Sequence, residues 1–179
     1  LKPENIMIGN TTENTGGPVV KLLDLGIAKM REIAGDNGGN TALTMAGQVL
    51  GTPYYMSPEQ WGEIPRDGNP EIDGRADIYS LGVLLFELLT GEVPFAHLTT
   101  ASFDELRSAI REQPARRPST ALTAMPPERL QAAAEQRSGE SSKLIGSVRG
   151  DLDWIVIRAL EKERDRRYST AAAFAEDIE

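Results

Sequence analysis

The stretch Ile78-Tyr79-Ser80-Leu81-Gly82-Val83-Leu84-Leu85-Phe86-Glu87-Leu88-Leu89 is apolar on nearly every face. A helix of that composition is buried on all sides. The spacing predicts a helix over Arg75–Thr90, with Gly91 as its C-terminal stop and Pro94 soon after. The remaining elements must supply the apolar surface that surrounds it.

Downstream, Ser102–Gln113 reads as an amphipathic helix. Ser102 and Glu105 have the spacing of a capping box, and Phe103, Leu106 and Ile110 fall on one side. Pro114–Arg149 is polar and reads as a long connection, with a short helix around Pro127–Gln136. In Asp151–Glu163, Leu152, Ile155, Val156, Ala159 and Leu160 follow helical spacing, and Trp154 is read as core with them. Ser169–Glu179 begins a last helix, with Phe174 and Ile178 inward. Upstream, Ser57-Pro58-Glu59 reads as a helix start: a capping serine, proline at the first position, then an acid for the dipole. Glu63–Gly74 is a loop rich in Pro, Gly and Asp, and Lys29–Leu50 is a longer loop without periodicity. Asn5–Ile8 and Val19–Leu23 read as short strands flanking a Thr/Asn/Gly-rich turn.

The 179 residues are 40% hydrophobic and 26% charged, an ordinary globular balance with chain enough for one domain. The net charge of -8 argues against a nucleic-acid binder, which usually carries a basic face. With no cysteine there is neither a disulfide framework nor a thiolate metal site, which fits a reducing cytoplasm. The longest apolar run is shorter than the roughly 20 residues of a membrane helix. No signal-peptide pattern is present. The first residue is Leu1 rather than methionine, so a truncated chain is expected.

Four segments occur in an order that carries chemistry. They are Leu1-Lys2-Pro3-Glu4-Asn5, Asp24-Leu25-Gly26, Gly51-Thr52-Pro53-Tyr54-Tyr55-Met56-Ser57-Pro58-Glu59 and Asp77-Ile78-Tyr79-Ser80-Leu81-Gly82. Asp24-Leu25-Gly26 alone is weak, whereas the nine-residue segment is specific. Together they resemble the protein kinases. The first is similar to the end of the catalytic loop H-R-D-L-K-P-E-N. The second resembles the metal-binding D-F-G with leucine for phenylalanine. The third resembles the substrate-docking loop ending in A-P-E, and the fourth the start of the central buried helix. The last third, from Arg116-Arg117-Pro118-Ser119-Thr120 to Arg149-Gly150-Asp151-Leu152-Asp153-Trp154, resembles bacterial eukaryotic-like (Hanks-type) serine/threonine kinases. The fold so implied is α+β, mainly α: a kinase-like C-terminal lobe with a short β-hairpin and a buried central helix, over residues 1–179.

Phosphoryl transfer requires charge neutralisation around the nucleotide phosphates, and magnesium prefers hard oxygen ligands. Asp24 offers a carboxylate and Asn5 an amide oxygen. The resemblance implies that both hold magnesium (or manganese) with ATP. It implies that Lys2 stabilises the transferring phosphoryl group and marks serine/threonine specificity. Thr52 in the docking loop would bond the catalytic loop. Asp77 would accept backbone N–H groups of that loop as structural support. Glu59 is expected to form a buried ion pair with an arginine before the last helix, and of Arg164, Arg166 and Arg167 the last fits the family spacing best. Thr44 and Thr41 lie in the activation segment as candidate phosphorylation sites. His97, the single histidine, reads as an ordinary surface residue.

The implied activity is transfer of the ATP γ-phosphate to serine or threonine of protein substrates. ATP and protein substrates are the implied partners, with no nucleic acid. The kinase domain would be cytoplasmic, and any membrane segment would lie outside this chain. The family's catalytic aspartate would immediately precede Leu1, and its N-terminal lobe would precede that. The chain alone is therefore expected to be inactive, with apolar surface where it meets the other lobe. The alternative is a pseudokinase-type docking module.

Overall fold

The structure, a computed structural model, describes residues 1–9, 18–23, 53–62, 65, 68–98, 102–137 and 139–179. The chain divides into two compact units, Leu1–Pro53 and Tyr54–Glu179.

In the first unit, a 3-10 turn at Pro3–Asn5 leads into β1 (Ile6–Gly9), which pairs antiparallel with β2 (Val19–Leu22). Proline opens the turn because its fixed φ suits that position and its missing N–H costs nothing there. Ile6 faces Leu22 and Gly9 faces Val19 in the register. Met7, Ile8, Val20, Leu22 and Leu23 are exposed.

The second unit is helical among its described residues. Its helices are α1 (Arg75–Thr90), α2 (Phe103–Glu112), α3 (Pro118–Ala124), α4 (Pro127–Glu135), α5 (Ser141–Val148), α6 (Asp151–Ala159) and α7 (Ala171–Ile178). The core forms where α1 meets α6. Ile78, Ile155, Ala159, Tyr168 and Phe174 cluster there, and Tyr79, Val83 and Phe86 of α1 are almost fully buried. Each such side chain contributes about 1.5–3 kcal/mol of burial. Gly82 marks the close approach, because a Cβ on it would lie 2.7 Å from the Ala159 Cβ. Gly91 ends α1 with φ 83°, donating its N–H to Glu87 O at 2.7 Å. Ser102 and Glu105 form the capping box of α2: Glu105 N–H donates to Ser102 Oγ (3.3 Å), and Ser102 N–H donates to Glu105 Oε2 (2.7 Å).

The structure corrects the sequence reading in five places. Residues 114–149 are not one long connection with a single short helix: α4 is the helix expected there, and α3 and α5 flank it, the three sharing a core of Leu122, Ala133, Ala134, Leu144 and Val148. Short alanine-rich helices bury little per residue, so their apolar periodicity is faint. Helix α6 ends at Ala159 rather than running to Glu163. Trp154 is 65% exposed rather than core, because it lies on the face of α6 opposite Ile155 and Val156. Ile178 is likewise 43% exposed near the C-terminus. Ser57 caps only a 3-10 turn, Pro58–Trp61, rather than a helix; in its capping box with Gln60, Ser57 N–H donates to Gln60 Oε1 at 2.9 Å. Among the described residues no helix is long and apolar enough to cross a membrane.

Candidate functional site

The first unit carries Lys2 and Asn5 on a tight scaffold. Asn5 N–H donates to Lys2 O at 3.0 Å, closing the 3-10 turn between them. Leu23 N–H donates to Asn5 O at 2.7 Å, extending the β1–β2 pairing by one bond. The strand that leads into Asp24 is thereby fastened at Asn5. Both Lys2 and Asn5 are half-buried. Asp24, Thr52, Thr41 and Thr44 lie outside the described residues.

In the second unit, residues 54–59, the end of the segment that resembles a docking loop, are held against α1. Tyr55 is buried; its hydroxyl donates to Glu87 Oε2 at 2.5 Å, and Ser80 Oγ donates to Tyr55 O at 2.8 Å. Trp61 packs its ring 4.6 Å from that of Phe103 on α2. Asp77 is half-buried in the first turn of α1. His97 is exposed.

Glu59 meets Arg167. Arg167 Nη1 and Nη2 donate to Glu59 Oε1 and Oε2 at 2.7 and 2.9 Å, with both side chains almost fully enclosed. The same guanidinium donates to Arg75 O (3.0 Å), Lys162 O (3.0 Å) and Glu161 O (2.7 Å). Those contacts employ every N–H an arginine side chain has. Its planar fork matches the carboxylate in two parallel bonds, which a lysine cannot do. Tyr79 lies beneath, with the Arg167 guanidinium 5.1 Å from its ring centroid, and burial pushes its phenol above the ordinary range.

Three further polar contacts of this unit have no signal in the sequence. Arg164, whose side chain is 2% exposed, does not take Glu59 but donates to Glu71 O (2.6 Å) and Asn69 O (3.0 Å). Asp73 binds Arg75, which also pairs with Asp165. The Arg75 guanidinium hydrogen-bonded to Asp73 holds that carboxyl below the usual carboxylate range. Asp153 accepts from Ser119 N–H (2.9 Å) and Oγ (2.6 Å), both residues being buried, and so fastens the start of α3 to α6. Arg164 and Asp153 are of residue types common on surfaces, and only packing sets them inside.

A cavity of about 600 Å3 lies elsewhere, lined by Trp154, Arg158, Tyr168 and Asp177 among others. Arg158 pairs with Asp177 at 3.4 Å and Tyr168 donates to Asp177 at 2.7 Å, so these groups satisfy one another.

Comparison with known proteins joins the two units in one family. The protein kinase domain model matches residues 1–177. Serine/threonine-protein kinase Pkn1 of Myxococcus xanthus is 34% identical over 97% of this chain, which spans 19% of that protein. Serine/threonine-protein kinase PknB of Mycobacterium leprae is 35% identical over 99% of the chain, which spans 22% of it. Serine/threonine-protein kinase pkn3 of Myxococcus xanthus is 34% identical over 100% of the chain, which spans 26% of it. The chain thus spans about a fifth to a quarter of these curated relatives. With its mainly helical architecture, two-stranded sheet and buried central helix, the chain belongs to the protein kinase domain family.

Proposed function

We propose that residues 1–179 are the C-terminal-lobe part of a kinase domain, and that the protein transfers the γ-phosphate of ATP to serine or threonine of protein substrates. The observation that carries this reading is the bond from Leu23 N–H to Asn5 O. It fastens the strand leading into Asp24 to the residue that would share a metal with it. An amide oxygen and a carboxylate are hard donors that fit magnesium or manganese, so the residues suit the cofactor. When bound, the metal and ATP supply charge neutralisation and the transferable phosphoryl group.

The chain's own residues have distinct tasks in this reading. Asn5 and Asp24 hold the metal, and Lys2 places a positive charge toward the phosphoryl oxygens. Thr52 and the segment up to Glu59 position the substrate hydroxyl. Asp77 braces the catalytic loop. Thr44 or Thr41, once phosphorylated, would order the activation segment through an arginine.

The test is phosphotransfer by the full-length protein with magnesium and labelled ATP. Asp24→Ala is expected to abolish transfer. Lys2→Ala is expected to lower kcat by about a hundredfold or more, the size of effect that a lost transition-state charge contact produces. Full activity in Asp24→Ala would overturn the metal assignment.

A further inference from the structure

Residues 68–73 carry exposed side chains throughout, including Ile72 at 49%. Their backbone, by contrast, is gripped from below. Arg164, almost completely buried, donates to the carbonyls of Asn69 and Glu71, with the Asp73 carboxylate 3.6 Å away. Asp165, the next residue, pairs with Arg75 at the far end of the loop. Two residues further on, Arg167 takes both Glu59 and Arg75 O. One short segment, 164–167, therefore clamps the end of the docking segment, the loop that follows it and the start of α1.

A buried cation is costly to desolvate unless its donors are met. Here Arg164 meets backbone oxygens of an exposed loop, beside the Asp73 carboxylate. Such an arrangement leaves loop side chains in solvent and fixes their backbone. A loop held rigid by a scaffold while its side chains face outward is suited to contact a partner. The loop begins nine positions after Glu59, where the segment that resembles the substrate-docking loop ends.

We propose that Arg164 is a positioning residue for protein-substrate binding. It latches the 68–73 loop so that Glu71 and Ile72 extend the docking surface toward a protein substrate. The inference rests on the kinase reading above for its substrate, but the latch itself does not.

The test uses the full-length protein with Arg164→Ala and Arg164→Lys, the latter keeping the charge but losing the fork. Hydrogen exchange of a peptide covering residues 68–74 reads the latch, and steady-state kinetics with dephosphorylated casein read the substrate contact. In Arg164→Ala, exchange in that peptide should accelerate about tenfold while α1 and α6 keep their protection. KM for casein should rise about fivefold, with kcat and KM for ATP within about twofold. Arg164→Lys should fall between. Glu71→Gln with Ile72→Ala should raise KM for casein without changing exchange. Unchanged exchange in both Arg164 variants would overturn the latch. So would exchange that rises equally across the whole unit, since that marks only lost stability. A latch without any change in KM for casein would overturn the substrate role. If the wild type transfers no phosphate, the kinase reading and the substrate role fall together, while the exchange result still decides the latch.

Discussion

At Glu59 the carboxylate and the Arg167 guanidinium are both enclosed, so neither can turn to water when the other is lost. Arg167→Ala is expected to cost about 3–5 kcal/mol, because it leaves a buried charge without its partner. Replacing both residues by leucine should be much milder than the single change, since no bare charge remains. Urea unfolding of the three variants checks both statements. A single-variant cost near that of a surface pair, under about 1 kcal/mol, would show that the pair is not enclosed in solution. The sequence offered three arginines before the last helix, and family spacing favoured Arg167, which does reach the carboxylate. Packing alone shows what the other two do: Arg164 reaches loop carbonyls and Arg166 is exposed.

At the scale of elements, the crossing of α1 and α6 depends on the missing side chain of Gly82. In an isolated helix, alanine for glycine gains about 0.5–1 kcal/mol. Here the added Cβ would meet the Ala159 Cβ at 2.7 Å and Leu160 carbon atoms at 3.2 and 3.3 Å. Gly82→Ala should therefore destabilise by about 1–3 kcal/mol, the usual cost of overpacking. A thermal melt that rises instead would contradict the close approach. Ser102→Ala should cost about 1 kcal/mol through the lost α2 cap, measurable by urea titration. The Asp73–Arg75 contact adds a pH dependence. The folded carboxyl is depressed by its hydrogen bond to Arg75. Its stabilisation is therefore present above the ordinary aspartate pKa of about 3.9 and is lost as pH falls through the lower folded value. Melting temperatures of wild type and Asp73→Asn should differ above that range and converge below it; a constant gap would remove the assignment. Of these elements, α1 and α2 were legible to within a residue, because length, apolar content and caps agree. Helix α4, expected around Pro127–Gln136, was legible too; α3 and α5 were not, because short helices with few apolar residues give little period until they pack on one another.

For the whole molecule, a net charge of -8 and an isoelectric point near 4.8 set the solution behaviour. Solubility should pass through a minimum near that pH, where self-repulsion vanishes. Turbidity across pH checks this, and a minimum well above neutrality would contradict it. The sequence by itself determined the family and the central helix. These are fixed by local composition and by an ordered run of motifs. It also favoured Arg167 as the buried partner of Glu59. The tertiary structure alone decided that Arg164 and Asp153 are inside as well. Arg164, Arg167 and Asp153 are polar side chains of types common on surfaces, and Trp154 is an aromatic of a type common in cores. Burial belongs to the packing of segments distant in sequence, such as Glu59 with Arg167 and Asn69 with Arg164. No local period encodes a contact of that range, because its energy arises only when the partner segment arrives and excludes water.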